Sequence, residues 1–215
     1  VTTVLLGNCG VTFAPCKAEH REKLAGMMET VEDIPKHAIM SGLSWDWDQY
    51  GDYLDYIEKS KPAVNVVGLV GHCAIRYYVM GDRAVDELAT DEEIEQMAQL
   101  VDNAVKAGAI GFSTSRVEGH RIPDGRPVPG TFSSEEELCR FAEIVRDNGG
   151  GLMQTVLGIE GDLVNNSTRV TDLLRKIATV GGNRLMTNTS VAIGWPGRDG
   201  ASDGRVLHER FASLA

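Results

Sequence analysis

The side chains that could do chemistry follow apolar runs. Cys9 lies in Gly7-Asn8-Cys9-Gly10, directly behind the β-branched and apolar residues 1–6. Such a run reads as a buried strand, and the two glycines let the chain bend sharply at its carboxyl end. A cysteine presented at a sheet rim can, as a thiolate, bind a soft or borderline metal ion. The competing reading is a small buried cysteine that fills space. A second apolar run, residues 64–70, ends in Gly71-His72-Cys73-Ala74-Ile75-Arg76. His72 suits a ligand, a substrate contact or a proton-transfer group, or else a histidine hydrogen-bonded into its own loop. Arg76 suits a bidentate grip on a carboxylate, or an internal ion pair. A third run, residues 109–115, ends in Ser113-Thr114-Ser115-Arg116. It opens a loop over residues 117–132, rich in Gly, Pro and Arg, that contains Arg121. Long loops at a sheet rim often carry function. No GxSxG surrounds the hydroxyls, so they read as turn-bonding groups and not as nucleophiles. His20, His37, His120 and His208 have no evident partner and read as surface residues.

The elements that would position these groups alternate. Residues 18–28 form a helix with Leu24, Met27 and Met28 on one face, and residues 31–44 read as a loop punctuated by Pro35 and Gly42. Trp45-Asp46-Trp47-Asp48 opens a further helix carrying Tyr50, Tyr53, Leu54 and Ile57, its tryptophans read as core in preference to substrate contacts. Thr90 and Glu93 form a capping box ahead of a stripe of Ile94, Met97, Ala98, Val101 and Ala104, which Gly108 ends. Ser133, Ser134, Glu136 and Glu137 make another box ahead of Leu138, Phe141, Ala142 and Val145. Residues 152–156 are a fourth strand, and Ser167 or Thr168 starts a helix that Gly181 and Gly182 stop. A fifth strand lies within residues 184–193, ahead of Trp195-Pro196-Gly197. This order predicts a parallel α/β sheet with right-handed crossovers. No phosphate-binding glycine loop is present, and polar groups after successive strands suit part of a (β/α)8 barrel. About five strands make residues 1–215 a single partial barrel domain. Both ends read as cut, since residue 1 opens within a strand and residues 206–215 begin a helical pattern without a cap.

With 42% hydrophobic residues, the 215-residue chain can bury a sizeable core. A net charge of −10 disfavours a nucleic-acid or anionic-membrane partner, and no apolar run is long enough to span a bilayer. The four cysteines, at 9, 16, 73 and 139, have no CxxC spacing and are too sparse for a disulfide framework. They point to a reducing, cytoplasmic compartment.

Three phrases in order resemble the N-acyl-D-amino-acid deacylase (D-aminoacylase) branch of the metal-dependent amidohydrolases. They are Val1-Thr2-Thr3-Val4 with Gly7-Asn8-Cys9-Gly10, then Gly71 to Arg76, then Ala89-Thr90-Asp91-Glu92-Glu93-Ile94 running on to Ala107-Gly108-Ala109-Ile110-Gly111-Phe112-Ser113-Thr114. The resemblance covers residues 1 to about 156 well and the rest loosely. It implies a (β/α)8 barrel and hydrolysis of an amide C–N bond on a small-molecule substrate, an N-acyl D-amino acid, with one or two zinc ions as cofactor. It implies Cys9 as a metal ligand, with His72, Arg76, Arg116 and Arg121 as candidates for the substrate site. The catalytic Asp would lie outside residues 1–215. Two departures stand out. Thr155 aligns with the threonine of the family's Thr-His phrase but is followed by Val156, and Thr187-Asn188-Thr189-Ser190 lacks the next histidine. These losses leave a second expectation open, a catalytically impaired barrel that binds a small acidic ligand.

Overall fold

The computed structural model describes residues 1–156, 163–182, 184–188 and 212. Five strands, β1 (Thr3–Leu6), β2 (Asn65–Gly71), β3 (Gly111–Ser115), β4 (Leu152–Val156) and β5 (Leu185–Asn188), form one sheet in the order of the chain. Every neighbouring pair is parallel. Parallel neighbours in sequence order, each joined by a helical crossover, are an arc of a (β/α) barrel. The carboxyl ends of all five strands therefore lie along one rim.

Among the described residues the α-helices are α1 (Arg21–Val31), α2 (Lys36–Gly42), α3 (Tyr50–Lys59), α4 (His72–Met80), α5 (Asp91–Ala107), α6 (Glu135–Asp147) and α7 (Leu163–Val180). The start of α5 is the expected box: Glu93 N donates to Thr90 Oγ1 at 3.2 Å, and Thr90 N to Glu93 Oε2 at 2.9 Å. Its stripe of Ile94, Met97, Ala98, Val101 and Ala104 is buried, each larger member stabilising the fold by about 1.5–3 kcal/mol. Phe112 and Phe141 pack at 5.0 Å between β3 and α6, where the sheet meets its helix layer.

The elements depart from the sequence reading in four places. Residues 31–44 are not all loop, because Pro35 and Gly42 bracket α2; proline suits a helix start and glycine its end, so the two punctuate a helix. Helix α3 begins at Tyr50 behind a Gln49–Asp52 capping box, so Trp45 and Trp47 precede it, at 3% and 4% exposure in the core. Gly71 is followed at once by α4, so His72 to Arg76 are helical and not a loop. Helix α7 starts at Leu163, ahead of the expected Ser167 or Thr168. Residues 195–197, His208 and most of residues 206–215 lie outside the described residues.

Candidate active site at the strand carboxyl ends

Cys9 is held on the hollow side of the sheet by strands far from its own. After β1 the chain turns through Gly7 (φ +85°), Cys9 (φ +61°) and Gly10 (φ +75°). A side chain at Gly7 would overlap the Leu69 carbonyl, and one at Gly10 would press on the Thr114 backbone at 3.0 Å. This close approach and the left-handed backbone are why glycine flanks the cysteine. Ser113 Oγ accepts from Gly10 N at 3.2 Å and donates to the Gly7 carbonyl. Gln154 Oε1 accepts from Cys9 N at 3.0 Å. Flat strands would hold β1 and β4 about 14 Å apart, so this bond joins them across the hollow of a curled sheet. Ser113 and Gln154 are register neighbours. Alternation along the strands puts Ser115 and Val156, two residues on and again paired, on the same inner face.

Ser115 Oγ lies 3.0 Å from His120 Nδ1. His120, half-buried, hangs from the 117–132 loop, pinned by Val128 N to its own carbonyl at 2.9 Å and by the Arg121–Pro127 bridge. Burial pushes its imidazole below the ordinary value, against the pull of Glu32. The charge of Glu32 also acts on Cys9, whose thiol is pushed up by burial first and by Glu32 second. The charge of exposed Glu32 thus acts on both Cys9 and His120. His120 is therefore not the surface residue that its sequence context suggested. Its partner is five residues upstream at a strand end, a spacing with no helical or strand period to betray it. His20, also read as a surface residue, is buried at 6% exposure.

His72 and Arg76 lie on the helix side of the sheet, away from the mouth, at 0% and 2% exposure. His72 Nε2 is 2.6 Å from Glu137 Oε1, and its Nδ1 is 2.9 Å from Thr114 Oγ1. Arg76 Nη1 donates to both Glu137 oxygens at 2.7 and 2.6 Å, Nε to the Ala84 carbonyl and Nη2 to the Glu87 carbonyl. With every nitrogen of Arg76 partnered inside the protein, the structure shows the second of its two sequence readings, an internal ion pair. Glu137 is the residue the sequence reading misassigned. Ser134 caps α6 by accepting from Glu137 N at 3.1 Å, but the Glu137 side chain does not complete a box and is wholly buried. Burial would raise its pKa, yet His72 and Arg76 hold it below the ordinary carboxylate value. Burial keeps His72 below its ordinary value. The pair suits a neutral imidazole with its proton on Nε2, donating to Glu137 while the Thr114 hydroxyl donates to Nδ1.

This buried trio anchors the loop above. Gly130 (φ +93°) lies so close to the His72 ring that any Cβ would overlap it, and Cys73 Sγ donates to the Pro129 carbonyl at 3.3 Å. Burial pushes the Cys73 thiol up to about 12. Half-buried Arg116 donates from Nη1 to the Ser133 carbonyl at 2.7 Å, and exposed Arg121 from Nη1 to the Gly125 carbonyl at 2.6 Å. Both arginines, candidates for the substrate site in the sequence, thus brace the 117–132 loop with these bonds.

An arc of parallel strands with its polar groups at the carboxyl rim is part of a (β/α) barrel, and comparison with known proteins defines which kind. No family model matches the chain. A D-aminoacylase of Alcaligenes xylosoxydans xylosoxydans is 37% identical over 150 residues, 70% of this chain and 26% of that protein. An N-acyl-D-aspartate deacylase of the same organism is 30% identical over 164 residues, 75% of this chain and 28% of its own length. A solved D-aminoacylase with a binuclear metal centre superposes with a TM-score of 0.68 at 25% identity, over 99% of this chain and 40% of that one. The class is the amidohydrolase barrel. Within it, the chain is a homologue of the D-aminoacylases and N-acyl-D-amino-acid deacylases. It spans about a quarter of the length of the curated relatives it matches.

Those relatives raise the question of a metal. Cys9 fits as one soft donor at the mouth. Among the described residues, no group of three or more His, Cys, Asp or Glu side chains is placed to hold an ion. Val156, on the inner face at the end of β4, offers no donor. The described residues therefore supply one candidate ligand and not a coordination set.

Proposed function

We propose that the protein carrying this chain is a metal-dependent amidohydrolase that cleaves the N-acyl bond of a D-amino acid, with Cys9 as a ligand of its zinc. The observation that carries this reading is the placement of Cys9. It is held in a left-handed turn by Ser113 and Gln154 on the inner face of an arc shared with D-aminoacylase. Bound zinc would supply an activated water and polarise the amide carbonyl. The chain's own part is to fix the thiol, exclude water behind it with Val156, and hold His120 over the mouth through Ser115. His72 and Arg76 serve as positioning residues beneath the 117–132 loop, and Arg116 and Arg121 set the shape of that loop. The four free cysteines suit a reducing, cytoplasmic setting.

The test is metal content by mass spectrometry, wild type beside Cys9→Ala, with turnover of N-acyl-D-amino acids. About one zinc in the wild type and a clear loss in Cys9→Ala is the expected result. Unchanged metal and turnover in Cys9→Ala would overturn Cys9 as a ligand. Val156 favours a second reading, a barrel that binds a small acidic ligand without turnover. Chelator-sensitive turnover excludes it.

A further inference from the structure

We propose that Gln154 donates a hydrogen bond from Nε2 to an oxygen acceptor of the ligand bound at the barrel mouth. Gln154 is 1% exposed. Its Oε1 accepts from Cys9 N at 3.0 Å, which settles the amide orientation, because a backbone N–H can only donate. Nε2 is consequently the donor left over. It is buried and has no hydrogen-bond partner among the described residues. Buried donors are almost always satisfied, and leaving one idle destabilises the fold. An apolar side chain in the core would avoid that penalty, and Met153, the adjacent residue on the opposite face, is such a side chain. Exceptions of this kind collect where a ligand completes the site.

The position narrows the ligand chemistry. Gln154 lies on the inner face beside Cys9, with Ser113 across the register and the apolar Val156 above it. Ser113 Oγ accepts from Gly10 N and donates to the Gly7 carbonyl, and Gln154 Nε2 makes no hydrogen bond to it. The missing partner is an oxygen with free lone pairs, the shared chemistry of an acyl carbonyl and a carboxylate. A neutral amide donor in a low-dielectric pocket discriminates strongly against a ligand that lacks the acceptor. This assignment rests on the proposed ligand class, an N-acyl amino acid, but not on its cleavage.

The test uses probes that cannot be hydrolysed: a panel of N-methylsulfonyl-D-amino acids and the matching N-methylsulfonyl amines without a carboxylate. Each is titrated calorimetrically against wild type, Gln154→Glu and Gln154→Met, with folding checked by thermal melting. Gln154→Glu keeps an acceptor for Cys9 N and, as the carboxylate, removes the donor. Gln154→Met removes the donor without burying a charge. Wild-type binding weakened about tenfold or more in both variants, the worth of one hydrogen bond to a buried group, is the expected result. Loss on both probe classes assigns the acyl-side oxygen, and loss on the acids alone assigns the carboxylate. Equal affinity in wild type and in folded Gln154→Met overturns the proposal, as does a wild type that binds no probe. A wild type that binds the probes through Gln154 but cleaves no N-acyl-D-amino acid supports this assignment and fails the hydrolase reading alone.

Discussion

Glu137 is the residue on which the buried electrostatics turn. It takes two donors from Arg76 and one from His72 with no water to replace them. Removing it leaves an arginine charge buried and unpaired, a loss of about 3–5 kcal/mol. Glu137→Ala is therefore expected to lower stability by that amount at pH 7, read by urea unfolding; a change below about 1 kcal/mol would refute the account. The pH dependence follows with a fixed sign. His72 and Glu137 both have folded pKa values below their ordinary values of 6.5 and 4.5. The unfolded chain then binds protons first, so each group's contribution is present above its ordinary value and lost as pH falls through the lowered one. Stability is expected to decline in two stages, below about pH 6.5 through His72 and again below about pH 4.5 through Glu137. A flat profile between pH 6.5 and 5 would contradict a neutral buried His72.

At the scale of elements, the 117–132 loop is the part whose placement matters. It is tied to α1 by Thr30 Oγ1 donating to the Arg121 carbonyl, and to α4 through Cys73 and His72. These ties fix where His120 meets Ser115. Gly130→Ala is expected to destabilise the protein by about 2 kcal/mol, since the new Cβ is strained at φ +93° and overlaps the His72 ring. It is also expected to release His120, raising its pKa toward 6.5 as burial is lost, which proton NMR of the imidazole would read. An unchanged His120 titration would mean that the loop is held independently of Gly130. The capping boxes show how far local chemistry reaches. Thr90 and Glu93 behave as spacing predicts, Thr90 exposed and Glu93 keeping its bond to Thr90 N while its other oxygen meets Arg83 at the surface. Glu137 has the same spacing from Ser134 but faces Arg76, and the buried charge outcompetes the cap.

For the whole molecule, the described sheet has β1 and β5 at its two edges. Neither edge is paired among the described residues, and parallel edges of apolar strands invite association. The 215-residue chain produced by itself is expected to self-associate in light scattering; a monodisperse monomer with a cooperative melt would contradict this. The strand order, the parallel crossovers and the glycines around Cys9 were all legible in the sequence, because apolar runs, helical stripes and φ > 0 requirements are local. So was the relationship to the D-aminoacylases, carried by phrases in a fixed order. Tertiary structure alone decided which face each polar side chain took. One step in strand alternation sends Thr114 to His72 under the helices and Ser113 to the Cys9 turn inside the arc. Glu137 pairs with residues 61 and 65 positions away, and Gln154 reaches a turn 145 positions away. No periodicity spans such distances: the first pairing forms where α4 and α6 meet on the helix side, and the second where the curl of the sheet brings the turn after β1 to β4.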